Sequence, residues 1–283
     1  MDFVLAYLDQ SCFDRLYDSS RDMLTQSICL QESSIGICAT LTDPSTWRRE
    51  SPHRQALSIF LVLWLSSSLF LLMFGSLCYL CNFDKSLKRH PRYYRNQIWK
   101  KARQSLATIF LSGALTVPVL LAQVRGYAKL YDIGDGTVST IYELAQIPLF
   151  FFFNDTCMYW LHRAFHQPFL FNAMHKKHHL FIIPTPFSAY AFDPLEAWII
   201  SLLTYAYSFL WPMSRHVQLF IFVCANVWSF LYHDSREQFH TVHHRNTQRN
   251  FGQYLSTWDQ IAGTYGDHKR YRRGGANARL SSK

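Results

Sequence analysis

The sequence lacks several features that assign proteins to common classes. Its seven cysteines include no two pairs at zinc-ligand spacing. Cys78 and Cys81 form a single C-x-x-C inside an apolar run, which favours a packing role, and no disulfide framework is implied. Residues 1–55 contain no basic start followed by an apolar core, so we expect no cleavable signal peptide. Charged residues are also scarce, at 17%.

Charged residues are scarce because the sequence contains several long uncharged stretches. Ala56–Cys81 and Ser105–Val124 carry no charge, and each reaches the roughly 20 residues that a bilayer core requires. A third apolar run centres on 144–153. Two shorter runs, 197–213 and 217–232, favour either a helical hairpin or two short spans. The sequence therefore predicts an all-α integral membrane protein with about four transmembrane helices.

The positive charges, which give a formal net charge of +9, are grouped beside the apolar runs. One group follows the first run: Lys85, Lys88, Arg89, Arg92, Arg95, Lys100, Lys101 and Arg103. This placement favours a membrane over a nucleic acid as the partner, and it puts the 84–103 loop on the cytoplasmic side. We expect a lumenal or interfacial segment at 1–55, a membrane-embedded domain at 56–283, and a basic cytoplasmic tail at 265–283.

Histidines are the most distinctive feature, with nine of thirteen in the windows 162–179 and 233–244. They form H-x-x-x-H at 162–166 and H-x-x-H-H at 175–179 and again at 240–244, with His233 just upstream. On a helix, positions i, i+3 and i+4 share a face, so we expect each triplet to project its imidazoles the same way. Scattered surface or core histidines are the alternative, but three clusters favour a metal site.

This many imidazoles exceeds the four ligands of a zinc ion and predicts two metal ions; without thiolates, iron, copper and zinc all remain compatible. The predicted spans bring every cluster to one cytoplasmic face, as a helical cap on an aromatic-rich bundle. That position favours a lipid substrate and iron that activates O₂. Asp155, at membrane depth, is expected to be the hydrogen-bond partner of a ligating histidine; the alternative is a helix-end aspartate in water.

The three histidine boxes resemble those of the fatty acid hydroxylase/sterol desaturase superfamily of membrane di-iron oxidases. Tyr159-Trp-Leu-His162-Arg, His175-Lys-Lys-His178-His179 and Ile183-Pro-Thr-Pro-Phe187 are similar to the sterol C-5 desaturases. Further similarities are 124–131, His233-Asp234, Gly252-Gln-Tyr, Trp258-Asp259 and Gly263-Thr, and the opening residues are similar to fungal members. The resemblance covers nearly the whole chain.

The resemblance implies an O₂-dependent desaturation that places a C5–C6 double bond in a Δ7-sterol at the endoplasmic reticulum membrane. It implies two iron ions and electrons from NAD(P)H through cytochrome b5 and its reductase. The implied ligands are His162, His166, His175, His178, His179, His233, His240, His243 and His244. Asp155, Asp193 and Asp234 are the carboxylates expected beside these ligands, and no catalytic residue is expected beyond the metal centre.

Three positions depart from the C-5 desaturase pattern. Tyr190 and Asp193 stand where those enzymes have histidines, and Phe239 stands where a further histidine usually precedes the last box. Asp193 is then either a cation ligand or a neighbour of the site. These departures leave two alternatives open: a hydroxylase or desaturase of another sterol or triterpenoid, and a metal-binding membrane protein without turnover. A zinc hydrolase is disfavoured because no glutamate stands within the H-x-x-H-H boxes as a general base.

Overall fold

The computed structural model describes residues 2–27, 43–90, 93–180, 183–233 and 238–267. These residues are mainly helical. The α-helices are α1 (Asp2–Leu8), α2 (Asp14–Ser27), α3 (Pro52–Cys81), α4 (Gln97–Val124), α5 (Thr140–Phe165), α6 (Pro168–Ala173), α7 (Pro194–Leu210), α8 (Arg215–Tyr232), α9 (Gln238–Arg245) and α10 (Thr257–Ile261). Short 3₁₀ helices cover Pro44–Trp47, Lys85–Arg89, His175–Leu180 and Pro186–Ser188, and a π turn at Asp9–Phe13 joins α1 to α2.

Two of the predicted spans are confirmed as helices of suitable length and composition. Among the described residues, α3 with 30 residues and α4 with 28 are the helices long and apolar enough to cross a membrane. Large apolar side chains on α3 remain exposed, such as Leu69 at 58% and Met73 at 65%, as a lipid-facing surface requires. The other spans and the cytoplasmic orientation stay predictions.

The basic segment after α3 is not the continuous loop that the sequence predicted. Helix α4 begins at Gln97 rather than near 105, directly after Asn96, whose φ is 61°. Lys101 therefore lies in the first turns of a packed helix, with no exposed surface, and its ammonium is 3.4 Å from the carbonyl oxygen of His178. Its charge predicts a loop, but its position on α4 places its side chain against the second histidine box.

Helices α7 and α8 return the chain to the end of the bundle that carries the histidines. They have 17 and 18 residues, or about 26 and 27 Å, which is less than the roughly 30 Å of a bilayer core. The turn between them holds β2 (Met213–Ser214), which pairs in parallel with β1 (Leu130–Tyr131). This pairing joins the α4–α5 connection to the α7–α8 turn. The prediction that His233 rejoins the earlier boxes is confirmed, since its Nε2 lies 3.4 Å from that of His178.

The core beneath the histidines is apolar and closely packed. Leu71 and Cys78 of α3, Ile109 of α4 and Phe230 of α8 are buried together with Phe187 of the Pro186–Ser188 turn. Gly75 permits this approach, because a Cβ there would lie 3.3 Å from both phenylalanine rings. The turn that follows the second box is thus clamped between α3 and α8.

The N-terminal segment, for which no conformation is predicted from the sequence, forms α1 and α2 and packs on the start of α3. The buried Arg54 guanidinium donates to Asp9 and Asp14, and to the carbonyl of Trp47 at 2.7 Å. Tyr17 and Ser58 are joined by a 2.8 Å hydrogen bond between their hydroxyls. Asp234 and most of the predicted basic tail, 268–283, lie outside the described residues.

Candidate metal centre

All nine predicted histidines converge at one end of the bundle. His162 and His166 lie at the end of α5, His233 caps α8, and the two triplets lie on the His175–Leu180 3₁₀ helix and on α9. They form two groups, in each of which one ligand atom per residue lies within 4.8 Å of all the others. Group one is His162, His166, His175, His179 and His243; group two is His178, His233, His240 and His244.

The expectation that each triplet points in one direction is wrong. From the second box, His175 and His179 enter group one while His178 enters group two. The third box does the reverse: His240 and His244 enter group two while His243 enters group one. Each box therefore bridges both groups, with its i and i+4 imidazoles in one and its i+3 imidazole in the other.

The spacing between imidazole nitrogens fits ligands that share one ion. In group one, the Nε2 of His243 lies 3.2 Å from that of His166 and 3.1 Å from that of His179. In group two, the Nε2 of His240 lies 3.2 Å from that of His233 and 3.0 Å from that of His244. Two nitrogens about 2.1 Å from one metal and roughly 90–110° apart would be about 3.0–3.4 Å from each other.

Hydrogen bonds at the opposite ring nitrogen orient several of these imidazoles. Nδ1–H groups donate to backbone carbonyls in three pairs: His162 to Phe251 at 2.9 Å, His233 to Ser229 at 2.8 Å, and His243 to Arg249 at 2.7 Å. A neutral imidazole that donates through Nδ1 has its free lone pair on Nε2. These Nε2 lone pairs face other imidazoles, an arrangement that a bound cation satisfies.

The electrostatics also favour metal binding. Burial, reinforced by neighbouring imidazoles, holds the pKa of His178, His240, His243 and His244 well below the usual range. They are therefore neutral at physiological pH. The neutral form is the one that ligates metals, so the donor set fits a pair of metal ions.

Glu196 is a member of the site that the sequence did not indicate. It lies in the first turn of α7, has no exposed surface, and its carboxylate bonds to the Nδ1 of His175. Such a carboxylate–histidine pair orients the ring and raises the basicity of its metal-binding nitrogen. The sequence signal that could have indicated Glu196 is an acidic residue in the first turn of an otherwise apolar helix.

The sequence predicts Asp155 as the hydrogen-bond partner of a histidine, but within the described residues Asp155 bonds to no imidazole. Its Oδ1 instead accepts from the backbone N–H groups of Gln253, Tyr254 and Leu255, at 3.3, 2.8 and 3.3 Å. A carboxylate that faces free backbone amides can satisfy several donors at once. Asp155 therefore holds in place the 249–255 segment, whose carbonyls accept from His162 and His243.

Asp259, also missed in the sequence, holds the same segment. Its carboxylate accepts from the N–H groups of Phe251 at 3.0 Å and Gly252 at 2.8 Å. A Cβ at Gly252 would lie 2.4 Å from the carbonyl oxygen of Leu255, so this close turn requires glycine.

The three departures from the family pattern lie beside the two groups rather than in them. Asp193 caps α7 through Leu195 N–H at 3.1 Å and forms a 2.8 Å ion pair with Lys177. The Tyr190 hydroxyl donates to Asn226, and the ring of Phe239 lies 6.2 Å from that of Tyr265. None of the three displaces an imidazole from either group.

A cavity of about 1440 Å³, including its open mouth, leads from the helices to both groups. It reaches His162 and His175 of group one, and His178, His233 and His240 of group two. Side chains of α3, α4, α5, α7 and α8 form its walls, and no Asp, Glu, Lys or Arg of the described chain is among them. Its lining suits a long hydrocarbon ligand with few polar atoms.

A polyhistidine centre at the end of a membrane-type helical bundle, reached by an apolar cavity, defines the class of protein. Residues 147–264, which contain all nine histidines, match the fatty acid hydroxylase family. Together with the relatives below, this match shows that the chain belongs to the fatty acid hydroxylase family, in its sterol desaturase branch, and indicates an oxidoreductase.

Three relatives show how far the similarity extends. The chain is 37% identical to the Delta(7)-sterol 5(6)-desaturase erg3B of Aspergillus fumigatus, over 94% of this chain and 85% of the relative. It is 38% identical to a Delta(7)-sterol 5(6)-desaturase of Leptosphaeria maculans, over 78% and 65% respectively. It is 33% identical to the lathosterol oxidase of Mus musculus, over 78% and 79%. No solved structure matches the chain.

Proposed function

We propose that this protein is a sterol C-5 desaturase, which introduces a C5–C6 double bond into a Δ7-sterol. The observation that carries the proposal is the apolar cavity that ends on both groups of imidazoles. Two of the relatives are named Delta(7)-sterol 5(6)-desaturase and one lathosterol oxidase, and both names describe this chemistry. The reaction removes one hydrogen each from C5 and C6, while O₂ takes up two electrons and two further protons to form two waters.

Groups one and two would each hold one iron, nine imidazoles in all. Iron at these positions would supply the O₂-derived oxidising power that an unactivated C–H bond requires. The chain's own contribution is then positioning. Glu196, Asp155 and Asp259 orient histidines directly or through the backbone, and the buried walls keep water from the reacting carbons.

The cavity supports a sterol rather than a polar substrate. Its walls combine apolar side chains with hydroxyl and amide groups and contain no carboxylate, lysine or arginine of the described chain. No observation favours the alternatives of another triterpenoid substrate or of metal binding without turnover.

We also propose a cellular membrane, an orientation in it and an electron donor for the protein. We place the protein in the endoplasmic reticulum membrane, with the histidines and C-terminus on the cytoplasmic side and cytochrome b5 delivering electrons from NAD(P)H. The positive charges after α3, including Lys85, Lys88 and Arg89, support that orientation.

The product of a Δ7-sterol tests this function. Membranes that contain the protein, supplied with NADH, cytochrome b5 and its reductase, should convert the sterol to a product lighter by two hydrogens. A His178→Ala variant should give no product, because group two loses a ligand that also contacts His233. Gain of an oxygen atom instead of loss of hydrogen would contradict desaturation, and no turnover by the intact protein would contradict an enzymatic role.

A further inference from the structure

One wall of the cavity is a stripe of α5 that leads to the metal centre. Asn154, Met158 and His162 line the cavity, and their spacing of four residues puts them on one face of the helix. Eight residues separate Asn154 from His162, or about 12 Å along the helix axis. Because helical side chains lean toward the N-terminus, the His162 ring leans toward Asn154. The amide and the imidazole therefore line the same cavity on the same face of α5, about 12 Å apart along the helix axis.

The Asn154 amide is the primary amide that the α5 wall presents to the cavity. The residue is 5% exposed, it lines the cavity, and no hydrogen bond of its side chain is found within the described part of the chain. In contrast, Thr108 donates to the carbonyl of Phe192 at 2.7 Å, and Ser112 donates to that of Thr108 at 2.7 Å. A primary amide offers two donors and an acceptor oxygen, and leaving them unmatched in a buried site is unfavourable.

A sterol brings one polar group into such a cavity, its 3-hydroxyl. Burying a hydroxyl without a hydrogen bond is costly, so a site that takes up a sterol needs a partner for it. In the sterol nucleus, the carbon bearing this hydroxyl is separated from C5 by a single ring carbon. A partner for the hydroxyl on the wall that carries His162 would therefore set how far the C5–C6 edge reaches toward the imidazoles.

We propose that Asn154 binds the 3-hydroxyl of the sterol and thereby sets which carbons face the metal centre. This inference rests on the proposed desaturase function and deepens it. Asn154 is a positioning and specificity-determining residue: its amide donates to, or accepts from, the substrate hydroxyl. The neighbouring Asp155 faces away to the 253–255 backbone, so the two adjacent polar residues serve substrate and scaffold separately.

The test crosses two forms of the protein with two substrates. The intact protein and Asn154→Leu, each reconstituted with iron, cytochrome b5 and its reductase, are given a Δ7-sterol and its 3-deoxy analogue. For the intact protein, we expect the KM of the deoxy sterol to be about three- to tenfold higher, the range for one neutral hydrogen bond. In Asn154→Leu, the KM of the hydroxylated sterol should rise to that of the deoxy analogue, while the KM of the analogue stays unchanged.

Controls keep the result interpretable. Ser112→Ala removes a cavity hydroxyl that already donates to the backbone, and should keep the discrimination between the two sterols. Asn154→Ser retains a hydrogen-bonding group and should restore part of the discrimination. Iron content and thermal melting report whether each variant is folded.

Two results would overturn the inference while leaving the desaturase function intact. One is an intact protein that converts both sterols with equal KM, which requires no variant to fold. The other is an Asn154→Leu variant that keeps the full discrimination. An intact protein that converts neither sterol would instead overturn the proposed function, and this inference with it.

Discussion

Glu196 shows what single residues add to the metal centre. Its buried carboxylate bonds to the Nδ1 of His175, whose Nε2 lies 2.9 Å from that of His179 in group one. From the sequence, an acidic residue in the first turn of α7 could equally have been a partner of the helix dipole. The nine histidines were predictable from their spacing, but Glu196, which orients one of them, is 21 positions away from it and becomes adjacent only in the fold.

We therefore expect Glu196→Ala to weaken iron binding by about 10- to 100-fold, the usual effect of losing a carboxylate behind a ligating histidine. Titration of the iron-free protein with Fe²⁺ under anaerobic conditions measures this. Asp193→Asn is the matched control three residues earlier, because asparagine keeps the helix cap and loses only the ion pair with Lys177.

The control also decides the earlier question about Asp193. Unchanged iron affinity in Asp193→Asn would support the assignment of Asp193 as a neighbour of the metal centre rather than a ligand. A loss as large as that of Glu196→Ala would mean that Asp193 belongs to the metal centre, and would contradict the assignment made from its ion pair.

At the scale of elements, the histidine boxes show where sequence patterns stop being sufficient. An α-helix turns by about 100° per residue and a 3₁₀ helix, such as His175–Leu180, by about 120°, so the i+3 and i+4 members of a triplet point in directions at least about 100° apart. That angle is enough to send His178 and His179 to different groups, as it does for His243 and His244. The convergence of the boxes was predictable, whereas the division of each box between two groups depends on where the other elements lie.

The docking of α1 and α2 on α3 depends on a buried ion pair. Arg54 and Asp9 are 6% and 8% exposed, and the guanidinium of Arg54 also lies 4.8 Å from the centre of the Tyr17 ring. Arg54→Met should lower the free energy of unfolding by about 3 kcal/mol, because it leaves a buried carboxylate unpaired. Denaturation in detergent, followed by tryptophan fluorescence, measures the change.

Arg49→Met provides the comparison for this prediction. Arg49 also pairs with Asp14, but its side chain is 42% exposed, so its loss should cost less than about 1 kcal/mol. Equal losses in the two variants would contradict a docking role for Arg54.

At the scale of the whole molecule, composition predicts the long helices but not how the connections between helices pair with one another. Helices α3 and α4 follow from the uncharged runs 56–81 and 105–124. The short strand pair could not be predicted, since Leu130–Tyr131 and Met213–Ser214 are 83 residues apart and have only two residues each. The charge of Lys101 predicts a loop, whereas the residue lies buried in the first turns of α4.

Two single substitutions test the proposed orientation. Asp135→Asn creates the glycosylation sequence Asn-Gly-Thr in the exposed connection before α5, and Asp84→Asn creates Asn-Lys-Ser after α3. We expect glycan on the first variant only, detected as a mobility shift that a glycosidase reverses, because only the α4–α5 connection would face the lumen. Glycan at position 84 instead would reverse the orientation.

The nine imidazoles are proposed to form two adjacent sites, each for one iron ion. The most direct measurement is the metal content of the purified protein, by elemental analysis with Mössbauer spectroscopy of a sample grown on ⁵⁷Fe. We expect two iron ions per chain in nitrogen-rich coordination, one for the group of five histidines and one for the group of four. One iron per chain, or zinc in place of iron after anaerobic reconstitution with both metals, would contradict it.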